Sequence, residues 1–80
     1  MNELLNRIIV NPNVSFGNPC IKGTRIWVSL ILDLMANSMS VEDILKEYPQ
    51  LRREDIFAAI AYAAEMSRER YVEMPIEKAV

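Results

Sequence analysis

Residues 39–65, MSVEDILKEYPQLRREDIFAAIAYAAE, read as two helices separated by a single proline. Ser40 precedes a run in which Val41, Ile44, Leu45 and Tyr48 recur at helical spacing. Its hydroxyl is placed to cap the first turn, Asp43 three residues on makes a shortened capping box, and Glu42 adds favourable charge at the helix N-terminus. Pro49 halts this helix after about two turns. Pro49-Gln50-Leu51 is then a tight connector, with Leu51 plugging the gap between two helices that meet at a steep angle. Arg53-Glu54-Asp55 opens a third helix, with two acids at its positive end, that runs to Ser67 or Arg68. Its expected inner stripe is Ile56, Ala59, Ile60 and Ala63, widened by Phe57, Ala61 and Ala64. Glu54, Ala58, Ala61, Tyr62 and Glu65 are expected to face outward.

On the N-terminal side, WVSLILDLMAN, residues 27–37, has a broad apolar helical face containing Trp27, Val28, Ile31, Leu32, Leu34 and Met35, with Ser29, Asp33 and Asn37 as its polar positions. Asn37-Ser38 can end this helix, since Asn tolerates left-handed geometry. Before it, Ile8-Ile9-Val10 in the stretch from Leu4 reads as a brief strand, Asn11-Pro12-Asn13 as a turn, and Cys20-Ile21 as at most a very short second strand between Gly17 and Gly23. The apolar members of this arm, Ile8, Val10, Val14, Phe16 and Ile21, need cover from the helical body or from a second subunit.

The expected fold is therefore mainly α: a three-helix, helix-turn-helix (homeodomain-like) bundle with an N-terminal arm containing one or two short β-strands. The chain divides into an arm at 1–25, a bundle at 26–68 and a tail at 69–80 within a single domain, since a chain of this size buries only about 60% of the surface it exposes when unfolded. A generic three-helix bundle with no affinity for nucleic acid has the same spacings.

Apolar residues make up 51% of the 80 residues, more than a small globule easily hides, so a partner surface and a homodimer are expected. The expected twofold contact lies on the broad face of the first helix or on the arm. No apolar run reaches the roughly 18 residues of a membrane span, and the first residues lack the pattern of an export signal, so no membrane association and a cytoplasmic location are expected. Cys20 is a lone cysteine and histidine is absent, which leaves no metal-ligand set and no cofactor to expect. Catalysis lacks a base for Cys20 or for Ser15, Ser29 and Ser67, and the acid pairs Glu42-Asp43 and Glu54-Asp55 are explained by capping; the chain reads as no enzyme. The net charge of −2 is uneven: Arg7, Lys22 and Arg25 oppose only Glu3 in residues 1–25, whereas residues 26–80 hold six basic and ten acidic side chains. Duplex DNA would be bound weakly by such a body, and a basic protein partner suits it better.

The segment from Gly23-Thr24-Arg25-Ile26 through Met39-Ser40-Val41-Glu42-Asp43-Ile44-Leu45, Tyr48-Pro49 and Glu54-Asp55-Ile56 closely resembles domain-of-unknown-function family four-three-three, with the likeness covering residues 8–65. The resemblance implies an antitoxin-like protein encoded beside a toxin of PIN-like ribonuclease fold, which it would neutralise while repressing their shared operon. A stand-alone DNA-binding regulator and a homodimeric accessory protein without nucleic-acid binding are the alternatives. Two departures stand out: Ser38 replaces a frequent glycine, leaving Asn37 or Ser38 to take a left-handed conformation, and Arg52 replaces a frequent threonine, removing a side-chain cap from the third helix.

Candidates for DNA contact are Lys22 and Arg25 on the arm and Arg52, Arg53 and Tyr62 on the third helix. Arg25 can instead meet a carboxylate on a partner, or pin the arm to Asp33, Glu54 or a backbone carbonyl; Arg52 and Arg53 can simply pair with nearby acids. Candidates for partner binding are Trp27 and Ile31 on the first helix and Tyr71, Val72, Met74 and Ile76 in the tail. Trp27 can equally seal the arm against the body, the tail can equally be a frayed end, and Phe57 and Met66 read as core.

Overall fold

A computed structural model describes residues 3–13 and 15–69. Three α-helices follow an N-terminal arm: α1 at Val28–Ala36, α2 at Val41–Glu47 and α3 at Arg53–Glu69. The arm contributes two strands, β1 at Ile8–Ile9 and β2 at Cys20–Ile21, paired antiparallel with Ile8 opposite Ile21 and Ile9 opposite Cys20. The fold is the mainly α bundle with a short β-arm that the spacing predicts.

The helix ends follow from local chemistry. Ser40 Oγ accepts the Asp43 N–H at 3.1 Å and so caps α2. At the end of α1, Ser38 is the residue that turns left-handed, at φ 74°. Its N–H donates to the Met35 carbonyl and the Met39 N–H to that of Leu34, both at 3.0 Å, which is the paired-bond closure of a Schellman motif. Asn37 adds a side-chain bond to the Asp33 carbonyl. Helix α2 stops at Tyr48, and Leu51 is buried in the connector as its composition suggests.

One core lies where α1, α2 and α3 meet β2: Ile21, Ile26, Val28, Ile31, Ile44, Leu51, Ile56 and Ala59 are buried together, with Tyr62, Leu34 and Met39 among the half-buried residues packed on them. Val28 and Ile31 of α1 are buried in this core and Leu30, Leu32, Leu34 and Met35 are half-buried against it, so the core takes up much of the broad apolar face of the first helix.

The arm also holds an element that the spacing does not predict: Glu3–Arg7 is a 3-10 helix ahead of the strand at Ile8–Ile9, and it supplies the most extensive packing against α3. Helix α3 is also rotated from the expected orientation. Ala58, expected outward, is fully buried, while Ile60, expected inward, is 41% exposed.

Candidate functional site

The rotation of α3 traces to Asp55, a residue that first-turn capping seemed to explain by itself. Its carboxylate is buried and takes two donors: Arg7 Nη1 at 3.0 Å on Oδ1 and the Arg52 N–H at 2.9 Å on Oδ2. The second bond is the reach-back half of a capping box: it satisfies the Arg52 N–H, without the hydroxyl half that Arg52 cannot supply. The first ties the arm to the start of α3 across 48 residues of sequence. No local pattern signals it. With Asp55 turned inward, Ile56, Ala58, Ala59 and Tyr62 follow onto the inner side at helical spacing, and Phe57 and Ile60 are left on the outer one.

The Gly23-Thr24-Arg25 element is a turn that leaves the neighbouring cations Lys22 and Arg25 exposed. Gly23 has φ 85°, which an L side chain resists even though nothing lies within 4 Å of where its Cβ would be. Thr24 Oγ1 donates to the Ile21 carbonyl at 2.8 Å and accepts the Ile26 N–H at 3.0 Å, closing the turn from within. Lys22 is held through its backbone, its N–H donating to the Arg7 carbonyl at 2.7 Å. Both Lys22 and Arg25 are exposed, and among the described residues neither makes an ion pair. Arg25 is not pinned to Asp33 or Glu54.

Farther along the arm stands Phe16, 93% exposed and in the left-handed region at φ 57°, followed by Gly17 at φ 80°. A bulky residue in this region costs roughly 1–2 kcal/mol. The preceding turn is ordered, with Asn11 Oδ1 accepting the Asn13 N–H at 2.8 Å, and exposed Val10 leads into it. Trp27 sits at the N-cap of α1 and its backbone bridges Cys20, which joins arm to helix through the main chain, while Trp27 itself is 38% exposed rather than a core residue. Cys20 itself is buried, its thiol donating to the Asn18 carbonyl.

The remaining sequence candidates separate. Ile31, expected at a partner surface, is completely buried in the core and presents nothing outward. Tyr62, expected to face outward, packs against the core. Arg53 donates to Glu42 at 2.7 Å, and that hydrogen bond, with Arg53's charge, holds the Glu42 carboxyl below the usual carboxylate range. Arg52 is exposed. Phe57, read as core, is 43% exposed. Tyr71, Val72, Met74 and Ile76 lie outside the described residues. Among the described residues no helix is long and apolar enough to cross a membrane, and no group of three or more Cys, Asp and Glu side chains is arranged to hold a metal ion.

Residues 8–63 match the family described as "Protein of unknown function (DUF433)". The chain belongs to the DUF433 family. Its fold is similar to the crystal structure of a DUF433 member protein from Anabaena variabilis, with a TM-score of 0.74 and 30% identity over 80% of this chain. The chain spans 63% of the length of that relative. No curated protein matches it. The matched DUF433 region takes in β1, the Gly23-Thr24-Arg25 turn, α1, α2 and most of α3, so the cationic turn and the Asp55 anchor both lie inside it.

Proposed function

We propose that this DUF433 protein is a non-catalytic binding protein of the antitoxin type, which neutralises a PIN-like ribonuclease by laying its N-terminal arm on it. The observation that carries the reading is Phe16, a large aromatic held in solvent at the cost of backbone strain. Strain at an exposed aromatic is explained by a task at that residue, since a core role would have buried it. Val10 extends the apolar contact, and Lys22 with Arg25 adds two unpaired cations on the same arm, suited to carboxylates on the partner. The class of partner comes from family resemblance, and chemistry on the arm supplies the contact. Operator binding is the weaker part of the reading, because Arg53 is occupied by Glu42 and Glu54 and Glu65 share α3 with it.

Co-expression with the product of the adjacent reading frame tests the proposal. A stable hetero-complex is expected, and Phe16→Gly and Arg25→Ala are each expected to weaken it at least about tenfold. Phe16→Gly relieves the backbone strain, so folding should be preserved or improved while binding is lost. A complex indifferent to both substitutions, or failure to form one with the neighbouring product, overturns the reading.

A further inference from the structure

Helix α3 is apolar on both sides. From Ile56 to Ala64, IFAAIAYAA, there is no charged residue. The inner side is occupied by the core, yet the outer side carries Phe57 and Ile60, 43% and 41% exposed, with Ala61 and Ala64 continuing the strip one turn on. A helix apolar all round is ordinarily covered all round.

The charges at the ends of the strip indicate what covers it. Glu54 lies seven residues before Ala61 and Arg68 seven residues after it, which is nearly two full turns each way, so all three follow one edge of the strip. Glu54 makes no ion pair among the described residues. Arg68 is bound by Glu65 through Nη1 only, leaving further N–H groups to donate outward. Two such helices set parallel would bring Glu54 onto Glu54 and Arg68 onto Arg68. Set antiparallel about Ala61, they bring Glu54 onto Arg68 at both ends. The same arrangement sets bulky Phe57 of one helix beside small Ala64 of the other and brings Ile60 of each copy next to the axis, where alanine at the centre allows close approach. A nucleic acid fits this face poorly, since Phe57, Ile60, Ala61 and Ala64 offer no side-chain donor and Glu54 repels phosphate.

We propose that the outward face of α3 is a homodimer interface in which two copies pair antiparallel about a twofold axis at Ala61, with Glu54 of each copy bridging Arg68 of the other. The contact is isologous, so each favourable charge pair occurs twice. It involves the chain alone and stands or falls separately from toxin binding.

Sedimentation velocity of the full chain over a range of concentrations tests it. A dimer is expected. Glu54→Arg and Arg68→Glu are each expected to weaken it at least about tenfold, and the double reversal to restore it to within a few-fold, although that variant keeps both end-of-helix charge losses. Ala61→Glu, which places two carboxylates on the axis, should give a monomer with unchanged helical circular dichroism. A wild-type monomer at all concentrations overturns the proposal. So does a dimer that the single reversals leave intact, or one that the double reversal fails to restore.

Discussion

Ser38 and Asp55 carry consequences far larger than their positions in a composition table suggest. Ser38 closes the Schellman motif at φ 74°, a conformation in which its Cβ is strained and a glycine hydrogen is not. Ser38→Gly should stabilise the protein by up to about 1 kcal/mol, read as a higher midpoint in urea with an unchanged slope. Asp55→Ala should act in the opposite direction and more strongly. It removes two bonds to one buried carboxylate, one of them from a guanidinium that is itself 38% exposed. A loss of about 2–3 kcal/mol is expected by the same titration, less than for a fully buried pair because water can reach Arg7. Gly23→Ala should cost about 1 kcal/mol, while Gly23→Asn, which tolerates a positive φ, should cost less.

At the scale of the element, what was legible in the sequence was whatever has a short-range cause. Helices α1 and α2 are placed to within a residue or so by apolar spacing, by Ser40 and by Pro49, because caps and periodicity are written within four residues of where they act. The rotation of α3 was not legible for a physical reason: nine uncharged residues in succession assign no face, and the residue that sets the rotation is an acid whose partner lies 48 positions away. Tyr62 was expected at a surface for the same reason, and Ile31 because the apolar face of α1 reads as broader than one core can fill, although the core takes both. The cationic turn was half visible, since Gly23-Thr24-Arg25 stood out while the two bonds of Thr24 depend on the backbone's path. Ser40→Ala should lower stability by about 1 kcal/mol through loss of the α2 cap. The Glu42–Arg53 pair joining α2 to α3 behaves differently, being exposed on both sides. Its carboxyl has a lowered pKa, so whatever it adds is present above the unfolded value and disappears as the pH falls through the folded one. Glu42→Gln should therefore leave the melting temperature at neutral pH almost unchanged and be felt, if measured in low salt, only as a slightly flatter acid limb.

For the whole molecule, two separate surfaces carry exposed features. The arm presents Phe16, Lys22 and Arg25, and the outer face of α3 presents Phe57 and Ile60. If the arm takes the toxin and α3 takes a second copy, the two contacts are compatible, and light scattering on the co-purified complex should return a mass of two copies of each protein. An assembly with one copy of each would mean that the partner displaces the twofold contact. An α3 face committed to a second copy is also withdrawn from any major groove, so DNA contact in such an assembly would have to come from the arm.

The bond between Arg7 and Asp55 has a further consequence for a chain made from one end. Arg7 is synthesised first and has nothing to close on until α3 follows, which at the usual pace of translation is a delay of about 2–10 seconds. During that interval β1 has β2 to pair with, but the bond that ties the arm to the start of α3 is not yet made. Any contact the arm makes before α3 has followed is therefore made with this latch open, and the latch closes afterwards.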